Sequence, residues 1–112
     1  MILLSASLSC YLNLIGKFLG IDNVLATELS IEESGRLTGG LAAPNVRGPR
    51  KAVVLSSYLQ HNLPVRNSMY AYGDSKGDRF VLSVADHPAW IKRVPIHRRT
   101  VRVLRGILLD CR

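Results

Sequence analysis

The apolar positions at the start of the chain change from a continuous run to a helical spacing. Ile2, Leu3 and Leu4 give way to Ser5-Ala6-Ser7, the pattern of a short buried strand that ends in a loop. The residues that follow recur at about 3.6 positions, as on one face of a helix: Leu8, Tyr11, Leu12, Ile15, Phe18 and Leu19. Gly20 is placed to end that helix. The chain is therefore predicted to open with a strand, loop and helix.

The segment from Val24 to Leu41 alternates between apolar and polar residues, which is typical of strands. One alternating run precedes Glu33-Ser34-Gly35 and a second run follows it. This pattern predicts a β-hairpin with Gly35 in the turn.

The second half of the chain repeats the strand, loop and helix order. A loop from Pro44 to Pro49 precedes a helix that begins near Arg50, and Tyr70-Ala71-Tyr72 forms a strand that ends in a polar loop. A further helix is predicted around Phe80, Val81, Val84 and Ala85, closed by Asp86-His87-Pro88. Alternating strands and helices predict an α/β fold whose ligands bind at the carboxyl ends of the strands.

Composition narrows the class of protein. The chain has 112 residues, of which 47% are hydrophobic and 21% are charged, so a single packed domain is expected and a disordered polyelectrolyte is excluded. Cys10 and Cys111 stand at opposite ends without the spacing of a zinc site or a disulfide framework. The first nineteen residues lack a basic start and are too polar for a signal sequence or a membrane span. We therefore expect a cytoplasmic protein.

The positive charge is concentrated at the end of the chain. The formal net charge is +7, and residues 92–112 hold seven of the basic residues against Asp110 alone. We expect this basic tail to be helical from Arg98 to Asp110, with Val101, Leu104 and Leu108 on one face. Such a helix packs on the core with its arginines in solvent, or it binds an acidic membrane, nucleic acid or an acidic partner.

Two carboxylates in the loop after the Tyr70-Ala71-Tyr72 strand form the first candidate site. Asp74 and Asp78 flank a turn that contains glycine, so both can converge on one Mg²⁺, which prefers oxygen ligands. A solvated turn with a helix cap explains the same residues equally well. Ser5, at the end of the first strand, and Lys51, at the start of a helix, precede them along the chain.

Four segments in this order resemble the haloacid dehalogenase (HAD) superfamily, subfamily IB, which includes the phosphoserine phosphatases. They are Leu4-Ser5-Ala6-Ser7-Leu8, the hairpin region Ala26-Thr27-Glu28-Leu29 with Gly35-Arg36-Leu37-Thr38-Gly39, the stretch Pro44-Asn45-Val46-Arg47-Gly48-Pro49-Arg50-Lys51, and the motif Tyr70-Ala71-Tyr72-Gly73-Asp74-Ser75-Lys76-Gly77-Asp78-Arg79. The resemblance covers about residues 1–91, which it implies are a partial catalytic core of an α/β, Rossmann-like three-layer sandwich with the hairpin as a flap.

The resemblance also implies a chemistry and a role for each residue. The family hydrolyses phosphorylated small molecules with Mg²⁺ through a phosphoaspartate. Ser5 would donate a hydrogen bond to a phosphoryl oxygen, and Lys51 would neutralise the phosphoryl charge. Asp74 would bind Mg²⁺ directly, and Asp78 would hold the waters of the metal or orient Lys51. Asn45 and Arg47 would contact the substrate.

The sequence lacks the family motif that carries the nucleophile, an apolar strand followed by Asp-x-Asp-Gly-Thr, and it lacks the cap that selects the substrate. In the family that strand lies in the centre of the sheet, so we expect an incomplete sheet and a fragment that is inactive alone. The two neighbouring strands would pair directly, or a separate polypeptide would supply the missing half. The alternative is a non-enzymatic α/β binding module that uses the basic tail for an anionic partner.

Overall fold

A computed structural model describes residues 1–63, 65 and 68–91, together with the backbone of residues 107–111. These residues form seven strands and three α-helices. In chain order they are β1 (Ile2–Leu8), α1 (Ser9–Phe18), β2 (Asn23–Thr27), β3 (Leu29–Ile31), β4 (Leu37–Leu41), α2 (Pro49–Asn62), β5 (Met69–Gly73), α3 (Arg79–Leu82), β6 (His87–Trp90) and β7 (Ile107–Cys111). A 3₁₀ turn, Lys76–Asp78, precedes α3. No helix in this part of the chain is long and apolar enough to cross a membrane.

Five of the strands form one mixed sheet in the order β2-β1-β7-β5-β6. The outer pairs β1 with β2 and β5 with β6 are parallel, whereas β7 runs antiparallel to both of its neighbours. Leu3 of β1 and Tyr72 of β5 both pair with Leu108 of β7. The carboxyl ends of β1 and β5 therefore lie at the same edge of the sheet, which we call the carboxyl edge.

The core has two parts because helices cover both faces of the sheet. The larger cluster joins the sheet to α2 and α3 and consists of Ile2, Leu4, Val46, Leu55, Leu59, Met69, Ala71, Val81 and Leu82. The smaller cluster joins the sheet to α1 and consists of Leu3, Leu12, Ile21 and Ala26. Successive residues of β1 enter opposite clusters, as the alternation of a strand requires. The fold is α/β, as the sequence predicted.

The helix predicted from Arg98 to Asp110 is wrong for its last residues, because Ile107–Cys111 is a strand. A strand in the middle of a sheet is covered on both faces, so its sequence is typically a continuous apolar run. Ile107-Leu108-Leu109 fits this pattern as well as it fits a helix. The open gap expected between β1 and β5 is likewise absent, since β7 fills it. Residues 92–106 lie outside the described part of the chain, and binding of an acidic partner by the tail stays a prediction.

The hairpin is shorter than predicted. Residues 23–27 form β2 of the main sheet, and only β3 and β4 make the two-stranded hairpin. Gly35 occupies its turn with a φ of +83°, a value that few residues other than glycine adopt. The helix expected around residues 80–85 spans only Arg79–Leu82, and β6 follows it. Pro88 is accommodated in β6 because that strand lies at an edge of the described sheet.

Candidate functional site

A buried ion pair lies at the centre of the candidate site. The Lys51 ammonium, in the first turn of α2, lies 2.6 Å from Oδ1 of Asp78, the last residue of the 3₁₀ turn. Only 6% of the Lys51 side chain and 2% of the Asp78 side chain are exposed. An ammonium carries three N–H donors, so this pairing uses one and leaves two that can donate to an anionic ligand.

The second carboxylate oxygen of Asp78 organises the loop after β5. Asp78 Oδ2 accepts hydrogen bonds from the Asp74 N–H at 3.1 Å, the Ser75 N–H at 2.9 Å and the Ser75 hydroxyl at 2.7 Å. Both oxygens of Asp78 are therefore occupied within the chain. The carboxylate fixes the loop and holds Lys51 at the same time.

The pKa of the Asp78 carboxyl results from opposing effects. Burial raises the pKa of Asp78, whereas the hydrogen bonds from Lys51 and Ser75 and the positive charge of Lys51 lower it. Together the lowering effects exceed the effect of burial, so the pKa of Asp78 lies below the ordinary value of an aspartate. Asp78 is therefore ionised at neutral pH and pairs with Lys51 as a charged group.

Ser5 and Asp74 lie on either side of β7 at the carboxyl edge. Because Leu3 and Tyr72 pair with the same residue of β7, the backbones of β1 and β5 are about 10 Å apart there. Ser5 lies two residues after Leu3, within β1, and Asp74 lies two residues after Tyr72, directly after the end of β5. Ser5 is buried, and its hydroxyl oxygen accepts a hydrogen bond from the Ser7 N–H at 3.1 Å.

Thr27 is a residue of this region that the sequence analysis did not select. Its hydroxyl oxygen accepts a hydrogen bond from the Val46 N–H at 3.1 Å. The hydroxyl can donate to the Ala6 carbonyl at 3.0 Å or to Oδ1 of Asn45 at 3.1 Å. Thr27 therefore fastens the loop that carries Asn45 and the exposed Arg47 to the carboxyl end of β1. In the sequence, Thr27 is the polar residue that ends the apolar run Val24-Leu25-Ala26, and this position is the signal that could have identified it.

The predicted magnesium ligands do not form a complete site by themselves. Among the described residues, no group of three His, Cys, Asp or Glu side chains is placed to hold a metal ion. Asp78 already uses both oxygens, and Asp74 is the remaining predicted ligand. Mg²⁺ requires a near-octahedral shell of oxygens and usually one or two carboxylates in addition to water and substrate. The described residues do not build that shell.

Comparison with known proteins identifies the family. The model of the haloacid dehalogenase-like hydrolases matches residues 1–83. Protein CicA from two strains of Caulobacter vibrioides is 29% identical over 90 residues, which cover 80% of this chain and 39% of each relative. The chain thus spans about two fifths of the length of these relatives. No solved structure matches it. With the family model matched over most of its length, the chain belongs to the haloacid dehalogenase-like hydrolases.

Proposed function

We propose that this chain contributes part of the active site of a subfamily IB phosphomonoester hydrolase that acts on a phosphorylated small molecule. The observation that supports the proposal is the buried Lys51–Asp78 pair beside the carboxyl edge. Apolar residues of similar volume often stabilise a core as well as a buried ion pair does, so the presence of this pair favours a role beyond stability. Ligands of α/β folds bind at this edge.

In the proposed reaction, an aspartate oxygen forms a bond to phosphorus while the bond to the ester oxygen breaks, and the leaving oxygen takes a proton from the second aspartic acid of the Asp-x-Asp-Gly-Thr motif. Water then gives a proton back to that carboxylate and attacks phosphorus, and the bond from phosphorus to the first aspartate breaks to release inorganic phosphate. Lys51 would donate hydrogen bonds to the phosphoryl oxygens and reduce the repulsion of the attacking carboxylate. Ser5 would donate to another phosphoryl oxygen, and Asp78 would hold Lys51 in position.

In this proposal the nucleophile comes from outside the described residues. Strand β7 occupies the centre of the sheet but runs in the opposite direction, so Asp110 pairs with Tyr70, near the start of β5. The carboxyl edge lies beyond Tyr72, at the other end of that strand. We therefore propose that a separate segment supplies the aspartate, and that the same segment completes a magnesium shell around Asp74. Asn45 and Arg47 would contact the rest of the substrate.

The experiment compares this chain alone with the chain co-expressed with a polypeptide that carries an apolar strand followed by Asp-x-Asp-Gly-Thr. Turnover of p-nitrophenyl phosphate is expected only for the pair, and only with Mg²⁺. Lys51→Met in the pair should abolish turnover, whereas Lys76→Met, an exposed lysine in the neighbouring turn, should not. Turnover by the chain alone that survives Asp74→Asn would contradict this assignment of the site.

A further inference from the structure

A half-exposed tryptophan lies at the carboxyl edge, next to the loop that carries Asp74 and Asp78. Trp90, the last residue of β6, pairs with Gly73, the last residue of β5. The Ile91 N–H donates a hydrogen bond to the Gly73 carbonyl at 2.8 Å and fixes the end of β6 against β5. Trp90 is 52% exposed, whereas tryptophan is on average highly buried in folded proteins. An exposed aromatic surface therefore stands at the edge where α/β folds bind ligands.

Trp90 emerges from the same face of the sheet as the Lys51–Asp78 pair. Paired residues of neighbouring parallel strands direct their side chains to one face, so Trp90 projects from the face that a Cβ at Gly73 would occupy. That Cβ would lie 2.6 Å from the Asp78 Cβ, so Asp78 lies on this face as well. The Cα atoms of Trp90 and Gly73 are about 5 Å apart, the spacing of neighbouring strands. The strand position of Trp90 is therefore close to the carboxylate that holds the Lys51 ammonium.

The indole and the ammonium offer complementary contacts to one ligand. Beyond its bond to Asp78, the Lys51 ammonium keeps two N–H donors for phosphoryl oxygens. The Trp90 indole offers a flat surface on which an aromatic ring stacks, and such stacking accepts different rings because each has a π-face. No described strand lies on the outer side of β6 to cover the indole. A molecule that carries a phosphoryl group and an aromatic ring can therefore contact both residues, whereas an aliphatic ester gains no stacking.

We propose that Trp90 is a specificity-determining residue that favours phosphate esters whose leaving group carries an aromatic ring. The ring stacks on the indole while the Lys51 ammonium donates hydrogen bonds to the phosphoryl oxygens. This inference rests on the proposed function, because it takes Lys51 as the phosphoryl site. A nucleoside monophosphate and an aryl phosphate share this chemistry, and the experiment distinguishes them.

The fluorescence of the chain provides a direct test, because Trp90 is its only tryptophan. Adenosine monophosphate and phenyl phosphate are each titrated against the chain. We expect at least one of them to change the Trp90 fluorescence and to bind at least tenfold more tightly than ribose 5-phosphate, which has the phosphoryl group without an aromatic ring. Adenosine and phenol, which have the ring without the phosphoryl group, should also bind at least tenfold more weakly. The better of the two esters identifies the kind of leaving group.

Calorimetric titration of variants assigns the contact to the indole. Trp90→Leu should weaken binding of the better ester at least tenfold and leave the affinity for ribose 5-phosphate unchanged. Phe18→Leu is the matched control, because it removes an exposed aromatic side chain from the last residue of α1, far from the carboxyl edge, and it should change neither affinity. Thermal denaturation of both variants checks that they fold.

Three results would overturn the inference. The first is failure of both aromatic esters to bind below about 10 mM. The second is equal affinity for an aromatic ester and ribose 5-phosphate, or an unchanged affinity in Trp90→Leu. Either form of the second result removes the stacking and leaves the proposed function, which the turnover experiment tests, in place. The third is binding of adenosine or phenol as tight as that of its phosphate ester, because the stacking surface would then be unconnected with a phosphoryl site.

Discussion

The Lys51 ammonium and Asp78 Oδ1 lie 2.6 Å apart although the two residues are 27 positions apart in the chain. The contact ties the start of α2 to the loop after β5, so two elements at the carboxyl edge depend on one buried pair. Removal of either partner leaves the other as an unpaired buried charge, which costs far more than the loss of a surface ion pair. The candidate site is therefore also a point on which stability depends.

Lys51→Met is expected to lower the free energy of unfolding by about 3–5 kcal/mol, because it leaves the Asp78 carboxylate buried without its cation. The double variant Lys51→Met/Asp78→Asn should cost less than the sum of the single variants, since it removes both charges. Urea unfolding of the four proteins gives the coupling energy. Lys76→Met, at an exposed position, should stay within about 0.5 kcal/mol of the original chain. Additive losses would show that the two charges do not interact.

Acid is expected to remove the stabilisation that Asp78 provides. The pKa of Asp78 is lower in the folded chain than in the unfolded chain, where an aspartate has a pKa of about 3.9. The stabilisation is therefore fully present above that unfolded-state pKa and is lost as the pH falls through the lower folded-state pKa. The difference in unfolding free energy between the original chain and Asp78→Asn should shrink below about pH 4. A difference that stays constant from neutral to acid pH would exclude this linkage.

Gly73→Ala is expected to destabilise the chain and to disturb the Lys51–Asp78 pair. A Cβ at position 73 would lie 2.6 Å from the Asp78 Cβ, so the backbone of the loop must move. We expect a loss of about 1–3 kcal/mol, as for other overpacked sites. Gly77→Ala is the matched control, because its nearest new contact would be 3.6 Å away. Equal melting temperatures for the two variants would contradict the close approach at Gly73.

Leu109→Pro tests the place of β7 in the sheet. Leu109 pairs with Ile2 on one side and Ala71 on the other, and proline removes an N–H from the centre of the sheet. A loss of about 2 kcal/mol corresponds to a fall of about 10 °C in melting temperature for a domain of this size. Leu109→Val keeps the N–H and should have a much smaller effect. If both variants had the same melting temperature as the original chain, β7 would not be a central strand.

Periodicity along the chain was enough to predict β1, α1, α2 and β5, because each of these elements follows from neighbouring residues. The apolar run marks the start of β1, and the 3.6-residue spacing with Gly20 marks α1. The loop predicted at Ser5-Ala6-Ser7 is wrong, because β1 continues through these residues to Leu8 and α1 follows directly. The order of the motifs also predicted the family. It put Lys51 at the start of a helix and Asp78 in the turn after a strand. The resemblance also offered a contact between them as one of two roles for Asp78, and the geometry and burial of that contact come from the folded chain.

Tertiary structure decided the partners of each segment. The alternating residues of β2 are compatible with the hairpin as well as with the main sheet, and the position of Thr27 against Ala6 and Asn45 follows only from the folded chain. The segment that became β7 has an apolar spacing that also fits a helix, and its place between β1 and β5 depends on residues about a hundred positions away. Local sequence thus determined where the chain forms regular structure. Pairing between distant strands determined which charges are buried together and which end of the sheet each carboxylate faces, because hydrogen bonds between strands are made across the fold and not along the chain.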